Sequence, residues 1–415
     1  MSGPTLSDLC RVFGRIGVLS FGGPAAQIAL MHRELVEDRP WLTEKQYLDA
    51  LSFCMLLPGP EAMQLATYSG WRLRGVPGGL IAGGLFVLPG ALVILGLAAL
   101  YAALGSVPLV QALFLGIKAA VLVIVVEALA KVSRRALKSP DRWVIAALSF
   151  VALFVFAAPF PLIVVAAAAY GALVATGAAP QAAAPPLRRL LPTVAAGLAI
   201  WWLPVAALAA TGADRLVAVA LFFSKLAVVT FGGAYAVLAY MTQAAVETEG
   251  WLTTEQMIDG LGLAETTPGP LILVTEFVGY LAGVQAGGWP MGLAAAAVTL
   301  WVTFVPCFLW IFAGAPFIDW IGTRPRLSGA LSAITAAVVG VILNLSLWFA
   351  AHVAFGTVER TTWGPLRMIL PDWSSFEARV PVLAALAAAL LLWRRWPLPL
   401  VLAVSAAAGV LVAQI

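Results

Sequence analysis

Charge is what this sequence is short of. Its 24 Lys and Arg and 20 Asp and Glu make up only 11% of 415 residues, against about 25% in soluble domains. That excludes a water-facing globular surface. Metal and redox chemistry are as poorly provided for. Three cysteines (Cys10, Cys54, Cys307) and two histidines (His32, His352) are scattered without spacing, so no ligand set or redox pair can be assembled from them. No metal and no cofactor are expected, and without a cofactor motif or reactive pair an enzyme is not the expected reading. The net charge of +4 is too modest to suggest a nucleic-acid partner. A cleavable signal is not expected either, because Arg11 and Arg15 interrupt the first apolar stretch and no small-residue cleavage site follows.

What the chain has instead is apolar length. It is 62% hydrophobic with a mean hydropathy of +0.98. Runs such as Val76–Tyr101, Leu190–Ala210, Met291–Gly314 and Leu327–Ala350 reach or exceed the ~20 residues that cross hydrocarbon. Lipid leaves an unpaired backbone unsatisfied, so the spanning elements are helices. Abundant Gly and Ala let such helices approach closely. The expected fold class is an all-α integral membrane protein in a lipid bilayer.

One block recurs. Phe21-Gly22-Gly23, Trp41-Leu42-Thr43, Gln46, Asp49 and Pro58-Gly59-Pro60 reappear 210 residues later as Phe231-Gly232-Gly233, Trp251-Leu252-Thr253, Gln256, Asp259 and Pro268-Gly269-Pro270, with no gap and 17 of 41 positions identical. Matched helix-breaking positions in duplicated halves point to the binding site of a secondary transporter. Basic residues bear on orientation. Arg72, Arg74 and the cluster from Lys131 to Arg142 place the turns of the first half in the cytoplasm, whereas the corresponding stretches 282–288 and 352–379 lack that excess. Two inverted repeats follow, residues 1–178 and 213–415, joined by a linker and one connecting helix within 179–212. Six elements per half plus that helix give about 13 membrane elements, several of them broken or re-entrant half-helices. The N-terminus is expected in the cytoplasm and the C-terminus outside.

The breaks are where chemistry is expected. Each Pro-Gly-Pro should end one half-helix and start another, leaving N–H groups and a positive dipole end at membrane depth, which suits an anion. Gly22-Gly23 and Gly232-Gly233 allow close backbone approach, and the hydroxyls of Ser20 and Thr230 can donate to an oxyanion. Arg15 and Lys225, also 210 apart, and Lys118 put positive charge inside apolar helices, where charge is costly and usually functional. Glu61 follows the first triplet, with Gln64 on its face; Glu265, Thr266 and Thr267 lead into the second, and Glu276 follows it. Glu61 either complements a helix start or carries a coupling proton, and Glu265 is a second acid for that role. Thr43 with Gln46 and Thr253 with Gln256 read as capping boxes, Trp41 and Trp251 as interfacial anchors, and Asp49 and Asp259 as structural acids.

Ser20-Phe-Gly-Gly-Pro24, Trp41-Leu-Thr43, Leu57-Pro-Gly-Pro-Glu61, Gln64-Leu-Ala-Thr-Tyr68, Gly70-Trp71, Thr230-Phe-Gly-Gly-Ala-Tyr235 and Glu265-Thr-Thr-Pro-Gly-Pro270 resemble the chromate ion transporter family in its long, two-domain form. The resemblance covers nearly the whole chain. It implies export of chromate across the bacterial cytoplasmic membrane and chromate resistance, with the substrate-binding role falling on the matched positions above, Phe21 and Phe231 included. Sulfate is the look-alike anion, and another anion carrier or an anion channel is the alternative. Partners are then the anion and the bilayer, with a homodimer left open. A dianion leaving a negative cytoplasm gains about 4.6 kcal/mol per 100 mV, which favours efflux.

Overall fold

The protein is described from a computed structural model covering residues 3–176, 188, 190–231, 234–318, 324–364 and 366–414. Among these residues the fold is all-α, with fifteen α-helices and one two-stranded hairpin. The first half supplies α1 (Leu6–Leu19), α2 (Gly23–His32), α3 (Glu44–Cys54), α4 (Glu61–Leu104), α5 (Pro108–Ala136), α6 (Pro140–Phe154) and α7 (Phe160–Val174). After α8 (Leu190–Ala210), the second supplies α9 (Asp214–Val229), α10 (Ala234–Gln243), α11 (Thr254–Thr266), α12 (Val274–Gly314), α13 (Pro325–Ala354), α14 (Arg379–Ala388) and α15 (Leu398–Ala413). Among the described residues, five helices are long and apolar enough to cross a membrane: α4, α5, α8, α12 with its flanking turns, and α13. The remainder are shorter, as expected for a chain whose helices are interrupted.

Local sequence accounts for the starts and stops. Thr5 caps α1 in a capping box with Asp8, and Leu9, Val12, Phe13 and Ile16 form its buried stripe. The two expected capping boxes are present. Thr43 N–H donates to Gln46 Oε1 and Gln46 N–H to Thr43 Oγ1, and Thr253 and Gln256 repeat the exchange. Trp251 differs from expectation: it is buried within the protein, so it packs rather than marking a membrane interface.

α4 and α12 are each two helices. At 1.5 Å per residue, the 44 residues of α4 would extend about 66 Å, twice the ~30 Å hydrocarbon thickness. The chain turns back instead, at Arg74-Gly75 in α4 and Gly287-Gly288 in α12. The two arms touch through glycine. A Cβ on Gly70 would lie 2.2 Å from the Gly78 carbonyl oxygen, and one on Gly283 would lie 2.4 Å from that of Met291. These pairs are 213 residues apart, not 210. The three extra residues are Leu271–Leu273, a single 3-10 turn inserted between the second Pro-Gly-Pro and α12.

Two compact units organise the fold, and each draws on both sequence halves. The first comprises 1–99, 177–237 and 267–325; the second comprises 100–176, 238–266 and 326–415. In the first, α8 and α9 pack on α12, and Trp201 Nε1 donates to Ser224 Oγ at 3.1 Å. In the second, α5 lies against α11, α14 and α15. Small residues again set the spacing: Gly116 of α5 abuts the Ser405 carbonyl, Gly171 of α7 that of Gly329, and Gly340 of α13 that of Ala146. The stretch 352–379, which lacks the basic excess of the first half, contains β1 (Val358–Trp363) paired antiparallel with β2 (Leu366–Pro371), Val358 opposite Pro371.

Gly70→Ala and Gly283→Ala should each lower stability in detergent by about 1–3 kcal/mol, because the added methyl overpacks the helical hairpin. Gly96→Ala, where the new Cβ meets nothing within 4 Å, should leave the thermal midpoint unchanged or raise it. Thermal unfolding of the three variants checks this.

Candidate functional site

The breaks of the two halves meet inside the first unit. α1 ends at Leu19 and α9 at Val229, so Ser20 and Thr230 present helix-terminal carbonyls. Gly59 N–H, in the first Pro-Gly-Pro, donates to the Thr230 carbonyl at 2.8 Å. Gly269 N–H, in the second, donates to the Ser20 carbonyl at 2.9 Å. Each triplet thus closes the helix end of the other half, and the two bonds are exchanged by the 210-residue offset. Proline on either side fixes these loops, and only glycine suits the central position: φ is +122° at Gly59 and +89° at Gly269. A Cβ at Gly59 would also lie 2.8 Å from Gln64 Nε2 and 2.9 Å from Cys307 Sγ.

Two glutamines brace the crossings. Gln27 Nε2 donates to the carbonyls of Gly269 (2.7 Å) and Ser20 (3.3 Å), and Gln64 Nε2 donates to that of Pro58 (2.7 Å). Both are buried, and their Oε1 atoms are sealed without a hydrogen-bond partner, as are Thr303 Oγ1 and Glu276 Oε2 of the same unit. Buried polar atoms are seldom left unpaired, so this unit holds unspent polar capacity. α4 begins at Glu61 directly after the first triplet. Its first internal acceptor is Pro60, bonded by Gln64 N–H at 3.1 Å, so the N–H groups of the turn before it point out of the helix end. Gly22 (φ +88°) performs the matching break ahead of α2. Pro58 and Glu61 are half-buried, whereas Thr267, Pro268, Gly269 and Pro270 are all buried.

Several expected donors are already committed. Ser20 Oγ donates to the Ile16 carbonyl (2.6 Å) and Thr230 Oγ1 to that of Leu226 (2.5 Å), the back-bonding that hydroxyls adopt at a helix end. The glycine amides of both triplets are spent on the partner half. Arg15 lies on the exposed face of α1, 58% accessible, with its guanidinium 3.5 Å from the buried Glu34, which Arg39 also contacts. Lys225 lies on the exposed face of α9, opposite Phe223 and Ser224. Phe21 and Phe231 are half-buried beside their breaks. Gly232 and Gly233 lie outside the described residues.

Lys118, Glu265 and Thr266 belong to the second unit. Lys118 Nζ is 2.9 Å from Asp259 Oδ1 and 3.5 Å from Glu255 Oε1, and Tyr101 Oη donates to Asp259 Oδ2 at 2.7 Å. Lys118 is therefore neutralised in place. The matched aspartates have diverged, for Asp49 pairs at the surface with Lys45 at 3.4 Å. Glu265 is buried, and Thr266 Oγ1 donates to the Leu263 carbonyl at 2.7 Å. Gln27 and Thr303 were not singled out by the sequence, Cys307 stood out only as one of three scattered cysteines, and Glu276 only as an acid beyond the second triplet. Their partners across the repeat are apolar or glycine, so a search for matched polar residues passes over them.

An all-α membrane bundle whose duplicated halves interlock at paired helix breaks defines the class: an integral membrane transport protein. The chain belongs to the chromate transporter family, whose model matches residues 7–172 and 217–410. It is 31% identical over 409 residues to a "Probable chromate transport protein" of Synechococcus elongatus, covering 98% of this chain and 95% of that one. It is 33% identical over 385 residues to a "Chromate transport protein" of Pseudomonas aeruginosa (90% and 89%), and 32% identical over 340 residues to one of Cupriavidus metallidurans (81% and 81%). No solved structure matches.

Gly59→Ala should impair folding and anion transport more than Gly269→Ala. Both force a side chain into a strained backbone at about 1–3 kcal/mol, but at Gly269 the closest obstacle is the flexible end of Leu273 at 3.0 Å. Gln27→Leu leaves the Gly269 carbonyl short of a donor and should cost about 1–3 kcal/mol. Thermal unfolding in detergent orders the three.

Proposed function

We propose that this protein is a secondary transporter that exports chromate, a tetrahedral dianion, across the bacterial cytoplasmic membrane and so confers chromate resistance. The observation that carries the reading is the reciprocal pair of bonds from Gly59 to Thr230 and from Gly269 to Ser20. It ties two equivalent helix breaks into one unit that duplicated halves can exchange between them. The family membership and the chromate transport proteins at 31–33% identity support the substrate. In this reading the halves 1–178 and 213–415 are inverted about the connecting segment 179–212, with the N-terminus in the cytoplasm and the C-terminus outside. Access alternates between the two crossings. The protein is a carrier, not an enzyme.

The anion is held by helix-start N–H groups beside Gly22-Gly23, Gly232-Gly233 and the two triplets, not by the hydroxyls of Ser20 and Thr230. Arg15 and Lys225 act by potential from the exposed faces of α1 and α9. A solvent-exposed charge of this kind is worth about 1 kcal/mol, roughly a fivefold change in affinity. Lys118 contributes indirectly, by holding α11, the helix that leads into the second triplet. Sulfate is the competing substrate, since it shares chromate's shape and charge.

Labelled chromate should accumulate in inverted vesicles, faster when their interior is made positive, with sulfate tested as competitor. Arg15→Ala and Lys225→Ala should each slow it a few-fold. Movement of neither anion would sink the carrier reading, and indifference to voltage would replace it with electroneutral exchange.

A further inference from the structure

Glu276 stands apart from the other ionisable side chains of the first unit. It is the third residue of α12, six positions beyond Pro270, and only 1% exposed. Its Oε2 has no hydrogen-bond partner, and no ion pair reaches it among the described residues. The elements around this part of the unit bring no charge to it. α8 and residues 76–99 of α4 contain no ionisable side chain, and α12 adds only Tyr280 and Cys307. α9 carries Asp214 and Arg215 in its first turn and Lys225 on its exposed face. α1, which meets the second triplet at Ser20, has Asp8 in its first turn and Arg11 and Arg15 on its exposed face. α2 ends in His32, five residues beyond the Gln27 that touches Gly269. A carboxylate at this position would be a lone charge in a low-dielectric interior, at a cost of several kcal/mol. The neutral acid avoids that cost.

Packing does not require an acid here. Under the 213-residue offset that relates the helical hairpins, the position of Glu276 in the first half is held by Met63, also fully buried. The fold accepts an apolar chain at one copy and a carboxyl at the other.

We propose that Glu276 is a proton-binding site, and that the proton and the oxyanion bound in the same unit favour each other's binding. This rests on the anion-carrier reading above. The sign follows from electrostatics. A bound dianion disfavours ionisation of a nearby carboxyl, so it strengthens proton binding, and by reciprocity the proton strengthens anion binding. The step balances simply: a proton from water joins the carboxylate as the anion binds and returns to water when it leaves.

The test uses the full chain, purified in detergent and weakly buffered at a series of pH values from neutral upward. Sulfate, which does not itself titrate near neutrality, and chromate are added in turn. The wild type should take up as much as one proton per anion bound, and its affinity should fall as steeply as about tenfold per pH unit on raising the pH. Glu276→Gln, permanently neutral, should bind the anion with no such uptake and a flat pH dependence, and its chromate trace removes the anion's own titration. Glu276→Met, which copies Met63, should also show no uptake. If neither variant folds, sulfate binding to the wild type without proton uptake still overturns the inference. Wild-type binding without proton uptake, or equal uptake in the variants, would overturn the inference and leave the carrier reading standing. If the wild type binds neither anion, both fall.

Discussion

A helix broken inside a membrane leaves backbone donors and acceptors that lipid cannot satisfy, and the architecture of the first unit follows from how that debt is settled. The carbonyls left at the ends of α1 and α9 are not capped by their own continuations. Each is taken by the glycine amide of the Pro-Gly-Pro belonging to the other half. The breaks are therefore stable only as a pair. Remove either triplet and a helix end of the opposite half loses its acceptor's partner. Hence the glycines sit at positive φ between prolines, and glutamine side chains add bonds at the same crossings, Gln27 to the Ser20 and Gly269 carbonyls and Gln64 to that of Pro58.

The same constraint explains the doubling back of α4 and α12. A short helical arm starting at a buried triplet has to return, and its return is stabilised by glycine-to-backbone contact near each turn. Copying the hairpin a second time did not require copying its spacing. Three residues were added after the second triplet and absorbed as one 3-10 turn. The hairpin beyond kept its internal geometry, as the Gly70–Gly78 and Gly283–Met291 contacts show. What shifted was the register between the hairpin's polar side chains and the triplet.

Much of this was legible in the sequence. The all-α class, the short helices on either side of the triplets and the capping boxes follow from composition, proline and glycine placement, and the Thr-x-x-Gln pattern. Other features were not legible, because they depend on which way side chains turn. Ser20 and Thr230 carry hydroxyls at the breaks, but a hydroxyl at a helix end bonds its own i−4 carbonyl first. Lys118 looked like a bare charge in an apolar helix, yet its counter-ion is Asp259 from a helix distant in sequence. The 210-residue offset found the matched residues and was blind to the unmatched ones. Gln27 has Val237 as its counterpart at 210 residues, and Thr303 and Glu276 have Gly90 and Met63 at the 213-residue offset of the hairpins.

That blindness is instructive, because the unmatched residues are the ones that can give an exchange of halves a direction. If two halves were identical, swapping their conformations would produce the same state facing the other way, with no preference between the two. The breaks and hairpins, which are matched, suit the proposed motion. The buried carboxyl at Glu276, answered by a thioether at Met63, distinguishes the two crossings by a titratable group. In the proposed cycle this also sets the charge that crosses with the substrate. A dianion alone moves with about 4.6 kcal/mol per 100 mV, whereas a dianion accompanied by one proton moves with about half of that. A matched pair of carboxyls would have cancelled this distinction, and a matched pair of methionines would have removed it.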